Sequence, residues 1–125
     1  MVAYYSPSEL SDLFSPDSKS LFARFAALAT LKGTPKKENE VYTYYSPIEW
    51  ISDKMLPVLI VHGKCDNIVP FESSVKLAKK LQEFGVPFKF FVHKKGDHGF
   101  EQSRKDYQTK KILEDTVKFM KDLIA

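Results

Sequence analysis

Hydrophobic positions follow a clear pattern in the second half of the chain. Residues 57–62, Pro-Val-Leu-Ile-Val-His, form an uninterrupted apolar run that is typical of a parallel strand buried on both faces. Residues 71–84 repeat apolar side chains at helical spacing, residues 88–92 form a second apolar run, and residues 113–124 repeat the helical spacing. The order strand, helix, strand, helix predicts a right-handed crossover and a parallel sheet.

The pattern in the first half is weaker. Residues 2–5 form a short apolar run that ends at Ser6-Pro7 and is a candidate strand. After a predicted helix start at residues 15–18, five apolar positions repeat at helical spacing: Leu21, Phe22, Phe25, Leu28 and Ala29. Residues 34–55 predict a short helix and an aromatic loop. We therefore expect an α/β fold with a short parallel sheet of about three strands flanked by helices.

Composition limits the class of protein. The 125 residues suffice for one domain, and 43% hydrophobic with 28% charged residues is an ordinary globular balance. The net charge of +3 comes from scattered lysine pairs, which favours a solvated surface over a nucleic-acid partner. Neither an apolar run of roughly 18 residues nor a signal-peptide pattern occurs, so we expect a cytoplasmic protein without a membrane partner.

Two loops follow the predicted strands and carry the candidate chemistry. The first, residues 62–70, contains Asp66, and the second, residues 96–100, contains His98. Because the carboxyl ends of neighbouring parallel strands meet at one sheet edge, Asp66 and His98 are expected to lie close together. A carboxylate that accepts the Nδ1 proton of an imidazole fixes its tautomer, so the other ring nitrogen can take a proton from a serine hydroxyl.

These loops resemble those of a known family. His62-Gly-x-x-Asp66-x-x-Val69-Pro70 resembles the acid loop of α/β-hydrolases of the small carboxylesterase and prolyl-oligopeptidase-like groups, and Gly96-Asp-His-Gly-Phe100 resembles their histidine loop. Residues 4–10 are similar to the segment after the sixth strand of small carboxylesterases. The resemblance implies the C-terminal part of that fold, with Asp66 as triad acid and His98 as general base. It also implies one partial domain, with the sixth-strand end and an excursion in residues 1–56 and the acid and histidine loops in residues 57–125.

The family's nucleophile is missing from these residues. Its serine lies in a Gly-x-Ser-x-Gly turn, and the five glycines here enclose no serine at that spacing. We therefore expect the acid and histidine portion of a carboxylic ester hydrolase, inactive by itself and without a cofactor. The alternatives are a non-catalytic fragment that only folds or associates, and a serine peptidase of the prolyl-oligopeptidase type.

Other residues allow simpler interpretations. Asp66 could be no more than a loop-capping residue. Asp97 could be a solvated neighbour or a partner of the adjacent lysines, and His62 is expected to be structural. Cys65 as a metal ligand or a nucleophile lacks a supporting pattern, so we expect no metal site. Ser73 and Ser74 are expected to start a helix. Five aromatic side chains could line an acyl pocket or pack in the core: Phe22, Phe25, Tyr44, Tyr45 and Trp50.

The candidate strand at residues 2–5 also predicts association. In the whole fold the sixth strand pairs with a fifth, so an isolated sixth strand would present unpaired backbone groups at a sheet edge. We expect either a homo-oligomer or a companion chain that carries the nucleophile half, with a small ester as the substrate of the completed site.

Overall fold

Three parallel strands form the sheet in the computed structural model, which describes residues 1–125. β1 (Val2–Tyr4) pairs with β2 (Val58–Gly63), and β2 pairs with β3 (Phe88–His93), so β2 lies in the middle. Four α-helices accompany the sheet: α1 (Leu21–Leu31), α2 (Asn39–Tyr45), α3 (Phe71–Glu83) and α4 (Tyr107–Ile124). The predicted α/β fold and its parallel sheet are confirmed.

The central strand β2 is buried along its whole length, as its continuous apolar run predicts. Successive side chains of a strand point to opposite faces, and each face of β2 supports its own core. On one face, β2 packs with α3 in a cluster of Ile51, Val58, Ile60, Leu77, Leu81 and Val86. On the other face, it packs with α4 in a cluster of Leu59, Val61, Phe100, Ile112 and Phe119. The helices therefore cover both faces of the sheet.

Helix α1 begins later than the sequence pattern predicts. Instead of starting at residues 15–18, it starts at Leu21, after Ser20, whose hydroxyl accepts a hydrogen bond from the backbone N–H of Ala23 at 3.1 Å. The segment before it is bound to the loop between β2 and α3, because the Ser18 hydroxyl donates to the carbonyl of Ile68 at 2.7 Å. A long-range contact thus prevents the earlier start.

The ends of the other predicted elements agree better. α2 and a short 3₁₀ helix at Pro47–Trp50 correspond to the predicted short helix and aromatic loop of residues 34–55. α4 begins at Tyr107, before its first predicted apolar position, because the Asp106 carboxylate accepts from the Thr109 N–H at 2.8 Å and caps the helix.

The division into residues 1–56 and 57–125 stays a prediction. β1 from the first part pairs with β2 from the second, so the two parts share one sheet. None of the four α-helices has both the length and the apolar character that a bilayer crossing requires.

Candidate active site

The two loops that follow β2 and β3 are joined by their backbones. We call residues 64–70 the acid loop and residues 94–99 the histidine loop. The N–H of Lys64 donates to the carbonyl of His93 at 3.0 Å, and the N–H of Cys65 donates to the carbonyl of Gly96 at 2.9 Å. A Cβ atom at Gly63 would collide with that carbonyl. Glycine at position 63 therefore permits the close approach that places Asp66 beside His98.

Asp66 lies buried between the loops with both carboxylate oxygens hydrogen-bonded. Its Oδ1 accepts from the backbone N–H groups of Ile68 and Val69, each at 2.9 Å. Its Oδ2 lies 2.9 Å from Nδ1 of His98. The predicted proximity of Asp66 and His98 at one sheet edge is confirmed, and Asp66 also caps its own loop, so both interpretations of this residue describe real contacts.

A second imidazole contacts the same carboxylate. Nε2 of His62 lies 3.2 Å from Oδ2 of Asp66 and 3.0 Å from the carbonyl oxygen of Val69. Nδ1 of His62 lies 2.6 Å from the hydroxyl of Ser74. These contacts with a backbone carbonyl and a buried hydroxyl agree with the structural role expected of His62. The contact with Asp66 was not predicted, although the tight turn at Gly63 is the signal that the acid loop folds back over the strand end.

The pKa of the Asp66 carboxyl lies below its usual value. Burial by itself raises this pKa, but hydrogen bonds from His62, His98 and the two backbone N–H groups favour the anion and outweigh it. Asp66 is therefore an anion at neutral pH. An anion at this position requires a proton on Nδ1 of His98, which leaves Nε2 as the unprotonated nitrogen of the neutral ring.

His98 differs from the other two histidines in having one free nitrogen. Its ring is partly exposed, and Nε2 has no hydrogen-bond partner in the chain. The neighbouring Asp97 is exposed to solvent. A neutral imidazole with Nδ1 bound to a buried carboxylate and Nε2 accessible can accept a proton from an adjacent hydroxyl.

Ser74, His62 and Asp66 form a second serine, histidine and aspartate series that has no access to solvent. Ser74 is 1% exposed and His62 is fully buried. A substrate carbonyl cannot reach the Ser74 hydroxyl in this position. Ser73 is also buried, and its hydroxyl accepts from the N–H of Ser8 at 2.8 Å. Both serines lie in the first turn of α3, as predicted, and serve packing and hydrogen bonding there.

His93 forms a further histidine and carboxylate pair that the sequence pattern did not indicate. Its Nε2 lies 2.9 Å from Oδ2 of Asp106 and 3.1 Å from Oγ1 of Thr109, and its Nδ1 accepts from the Lys95 N–H at 3.3 Å. Both ring nitrogens are occupied. Because Asp106 is the cap of α4, this pair fastens the start of that helix to the end of β3.

The remaining candidates lie apart from the pair of Asp66 and His98 or on the surface. Cys65 is exposed, and no group of three His, Cys, Asp or Glu side chains is arranged to hold a metal ion. The five aromatic candidates are all more than half exposed, so their alternative interpretation as core residues is wrong: Phe22, Phe25, Tyr44, Tyr45 and Trp50. Their role as an acyl pocket stays a prediction.

Comparison with known proteins places this chain in a family. The model of the prolyl oligopeptidase family matches residues 10–125. The chain belongs to this family. The match confirms the resemblance to α/β-hydrolases that the two loops predict, and it supports a hydrolase.

Individual relatives are distant and longer. The uncharacterized peptidase YtmA of Bacillus subtilis (strain 168) is 28% identical over 90 residues, which cover 72% of this chain and 34% of YtmA. The acylaminoacyl peptidase of Pyrococcus horikoshii superposes on 98% of this chain and 20% of its own, with a TM-score of 0.83 at 20% identity. The acetyl ester-xyloside bifunctional hydrolase from Caldicellulosiruptor lactoaceticus superposes on 97% of this chain and 41% of its own, with a TM-score of 0.72 at 22% identity.

These coverages describe a partial match. The chain spans about a third of the length of YtmA and less than half of either solved structure. At 20–22% identity, the two structures support the α/β-hydrolase fold alone.

Proposed function

We propose that Asp66 and His98 are the acid and the base of a serine hydrolase. The observation that carries this proposal is the 2.9 Å contact between Oδ2 of Asp66 and Nδ1 of His98, combined with an unpartnered Nε2 on a partly exposed ring. His98 would accept the proton of the serine as it attacks and would return that proton to the leaving group. Asp66 would hold the tautomer and stabilise the imidazolium.

The nucleophile must come from outside these 125 residues. No Gly-x-Ser-x-Gly sequence occurs in them, and Ser74, which is hydrogen-bonded to His62, is buried. This chain alone would therefore turn over esters little or not at all. A non-catalytic association module is the alternative, and it has the same fold.

A carboxylic ester is the substrate class we favour. The likeness of the acid and histidine loops to those of small carboxylesterases supports an ester, and one structural neighbour carries acetyl ester hydrolase in its name. The family name and the name of YtmA support a peptide as the alternative. Both substrates require the same acid and base, since each is cleaved by acyl transfer.

The free edge of β1 supports a partner that supplies the nucleophile. β1 pairs on one side only, and beside it lies a groove of about 520 Å³ lined mainly by apolar residues, among them Val2, Trp50, Ile51, Met55 and Leu77. We propose that the nucleophile-bearing segment of a family member occupies this groove and adds a strand along β1. Its support is the short span of this chain relative to its family.

The acid and base roles can be tested in a chimera. This chain would replace the segment of YtmA that it matches, and the product would be assayed with p-nitrophenyl acetate and with a serine-directed fluorophosphonate. We expect hydrolysis and labelling that His98→Gln abolishes. The matched variant His93→Gln, which changes a histidine outside the site, should keep both. A folded chimera that is labelled equally with and without His98 would refute the proposal.

A complementary test uses the chain by itself. Diethyl pyrocarbonate acylates accessible, unprotonated imidazole nitrogens. His98 should react first, because its Nε2 is unpartnered, whereas both nitrogens of His62 and His93 are hydrogen-bonded. Peptide mapping that finds His62 or His93 modified before His98 would show that Nε2 of His98 is not the accessible base.

A further inference from the structure

Tyr5 leaves strand β1 in an uncommon backbone conformation. Its φ is 36°, in the left-handed region that residues with side chains rarely adopt. Its N–H nevertheless donates to the carbonyl of Val61 at 2.7 Å, so the backbone is held firmly to β2 at this point. Non-glycine residues persist in such conformations where the surrounding structure fixes them, and these positions cluster at functional sites.

The side chain of Tyr5 contacts both the histidine loop and the short helix directly after it. Its ring centroid lies 4.3 Å from that of His98, with the planes inclined by 50°. Its hydroxyl donates to Oε1 of Glu101 at 2.8 Å, and Glu101 lies in the short 3₁₀ helix Phe100–Gln102 directly after the histidine loop. Tyr5 thus contacts His98 in the loop and Glu101 three residues further on.

The neighbouring Tyr4 makes no such contact. Its hydroxyl is within 2.7 Å of Oγ1 of Thr116, and its ring stacks on Phe100 at 6.2 Å, both within the core beneath α4. Tyr5 also keeps its proton under ordinary conditions, because burial and the bond to Glu101 raise its pKa to about 12. The phenol therefore remains a hydrogen-bond donor throughout the neutral range.

We propose that Tyr5 is a positioning residue, which holds the imidazole of His98 against Asp66 so that its Nε2 stays directed away from the carboxylate. The proposal deepens the acid and base function above and rests on it. The ring packing restricts rotation of the imidazole, and the hydroxyl bond to Glu101 restricts the loop that carries it. Because sheet order places β1 and β3 on opposite sides of β2, Tyr5 is the link by which β1 supports a residue of the loop after β3.

The test follows the His98 ring by NMR in the ¹⁵N-labelled chain, with no catalysis required. Three variants are compared: Tyr5→Leu, Tyr5→Phe and the matched control Tyr4→Phe, which removes the adjacent phenol hydroxyl. In Tyr5→Leu we expect the His98 carbon-bound ring protons to lose the ring-current shift of Tyr5. We also expect its Nδ1 proton signal to disappear through faster exchange with water. The signals of His62 and His93 should stay, which shows that the fold is intact.

Tyr5→Phe separates the two contacts. The ring-current shift at His98 should remain, whereas its Nδ1 proton should exchange faster than in Tyr4→Phe. This comparison also decides the matter if Tyr5→Leu fails to fold. Unchanged His98 signals in a folded Tyr5→Leu, or equal exchange in Tyr5→Phe and Tyr4→Phe, would overturn the proposal. Because the readout is the geometry of His98, these outcomes are distinct from a failure of the YtmA chimera to hydrolyse esters.

Discussion

Two histidine and aspartate pairs in this chain have the same nitrogen-to-oxygen distance, but the buried partner is the aspartate in one pair and the histidine in the other. His98 and Asp66 are joined at 2.9 Å, with side chains 29% and 0% exposed, whereas His93 and Asp106 are also joined at 2.9 Å, with side chains 8% and 46% exposed. In the first pair the carboxylate is buried and the imidazole reaches solvent. In the second pair the arrangement is reversed. Distance alone therefore does not separate a candidate base from a structural anchor.

Burial decides what each pair can do. A buried carboxylate with four hydrogen-bond donors stays ionised and orients its imidazole, whose second nitrogen remains available for proton transfer. A buried imidazole whose two nitrogens are both bonded has no site left for a reacting proton. His93 instead joins β3 to the first turn of α4 through Asp106 and Thr109.

The largest expected effect separates the two aspartates in the YtmA chimera. Asp66→Asn replaces an acceptor with an amide that can donate, which would place the His98 proton on Nε2, the wrong nitrogen. We expect ester hydrolysis to fall by about 10⁴-fold, the scale of the equivalent change in serine proteases. Asp106→Asn should change the rate little. Equal losses for the two variants, measured as kcat/KM with p-nitrophenyl acetate, would remove the distinction between the pairs.

The next prediction concerns stability, for which His93 should matter more than His98. His93→Leu would leave the Thr109 hydroxyl and the cap residue Asp106 without their imidazole partner, so we expect the free energy of unfolding to fall by about 1–3 kcal/mol. His98→Leu removes a partly exposed ring, and Asp66 keeps its other three donors, so the loss should be less than about 1 kcal/mol. Urea denaturation of the isolated chain measures both. A larger loss for His98→Leu would contradict the assignment of His93 as the anchor.

A third prediction concerns acid pH. The pKa values of Asp66 and Asp106 both lie below their ordinary value of 3.8 in the folded chain. For Asp66, burial opposes the shift and hydrogen bonds outweigh it, whereas for Asp106 the bonds from Thr109 and His93 dominate. A carboxyl with a depressed folded pKa stabilises the fold above its unfolded pKa, and this stabilisation is lost as pH falls through the folded pKa.

The fold should therefore weaken below about pH 4 through both carboxyls, and the contribution of Asp66 should be the larger because its side chain is buried and that of Asp106 is half exposed. Asp66→Asn should flatten the decline of unfolding free energy between neutral and acid pH more than Asp106→Asn does. Thermal unfolding across a pH series tests this. A flatter curve for Asp106→Asn than for Asp66→Asn would show that the exposed pair carries more of the acid sensitivity.

Much of the fold and the central pair could be predicted from the sequence because their signals are local. The apolar run of β2 and the spacing of 32 residues between Asp66 and His98 follow from one strand, helix and strand unit. The contacts of His62 with Asp66 and of His93 with Asp106 span only 4 and 13 residues, but they depend on how each loop turns back at the end of its strand. The contact of Tyr5 with Glu101 spans 96 residues. No spacing rule encodes either kind of contact. The periodicity of α1 correctly predicts a helix with an apolar face, but it cannot say whether other residues cover that face. Phe22 on this helix is 81% exposed, so it does not pack in the core.

The smallest expected effect tests which aspartate is the acid: the one that contacts His98 in space or the one next to it in sequence. Asp97 is next to His98 in the chain, whereas Asp66 is 32 residues away, yet Asp97 is exposed and Asp66 is bonded to the imidazole. Asp97→Asn should change the unfolding free energy by no more than about 0.5 kcal/mol and leave fluorophosphonate labelling of the YtmA chimera unaltered. Urea denaturation and labelling supply the two measurements, with Asp66→Asn as the positive control. Loss of labelling in Asp97→Asn would move the acid role to the neighbouring carboxylate and would make the buried contact of Asp66 a structural one.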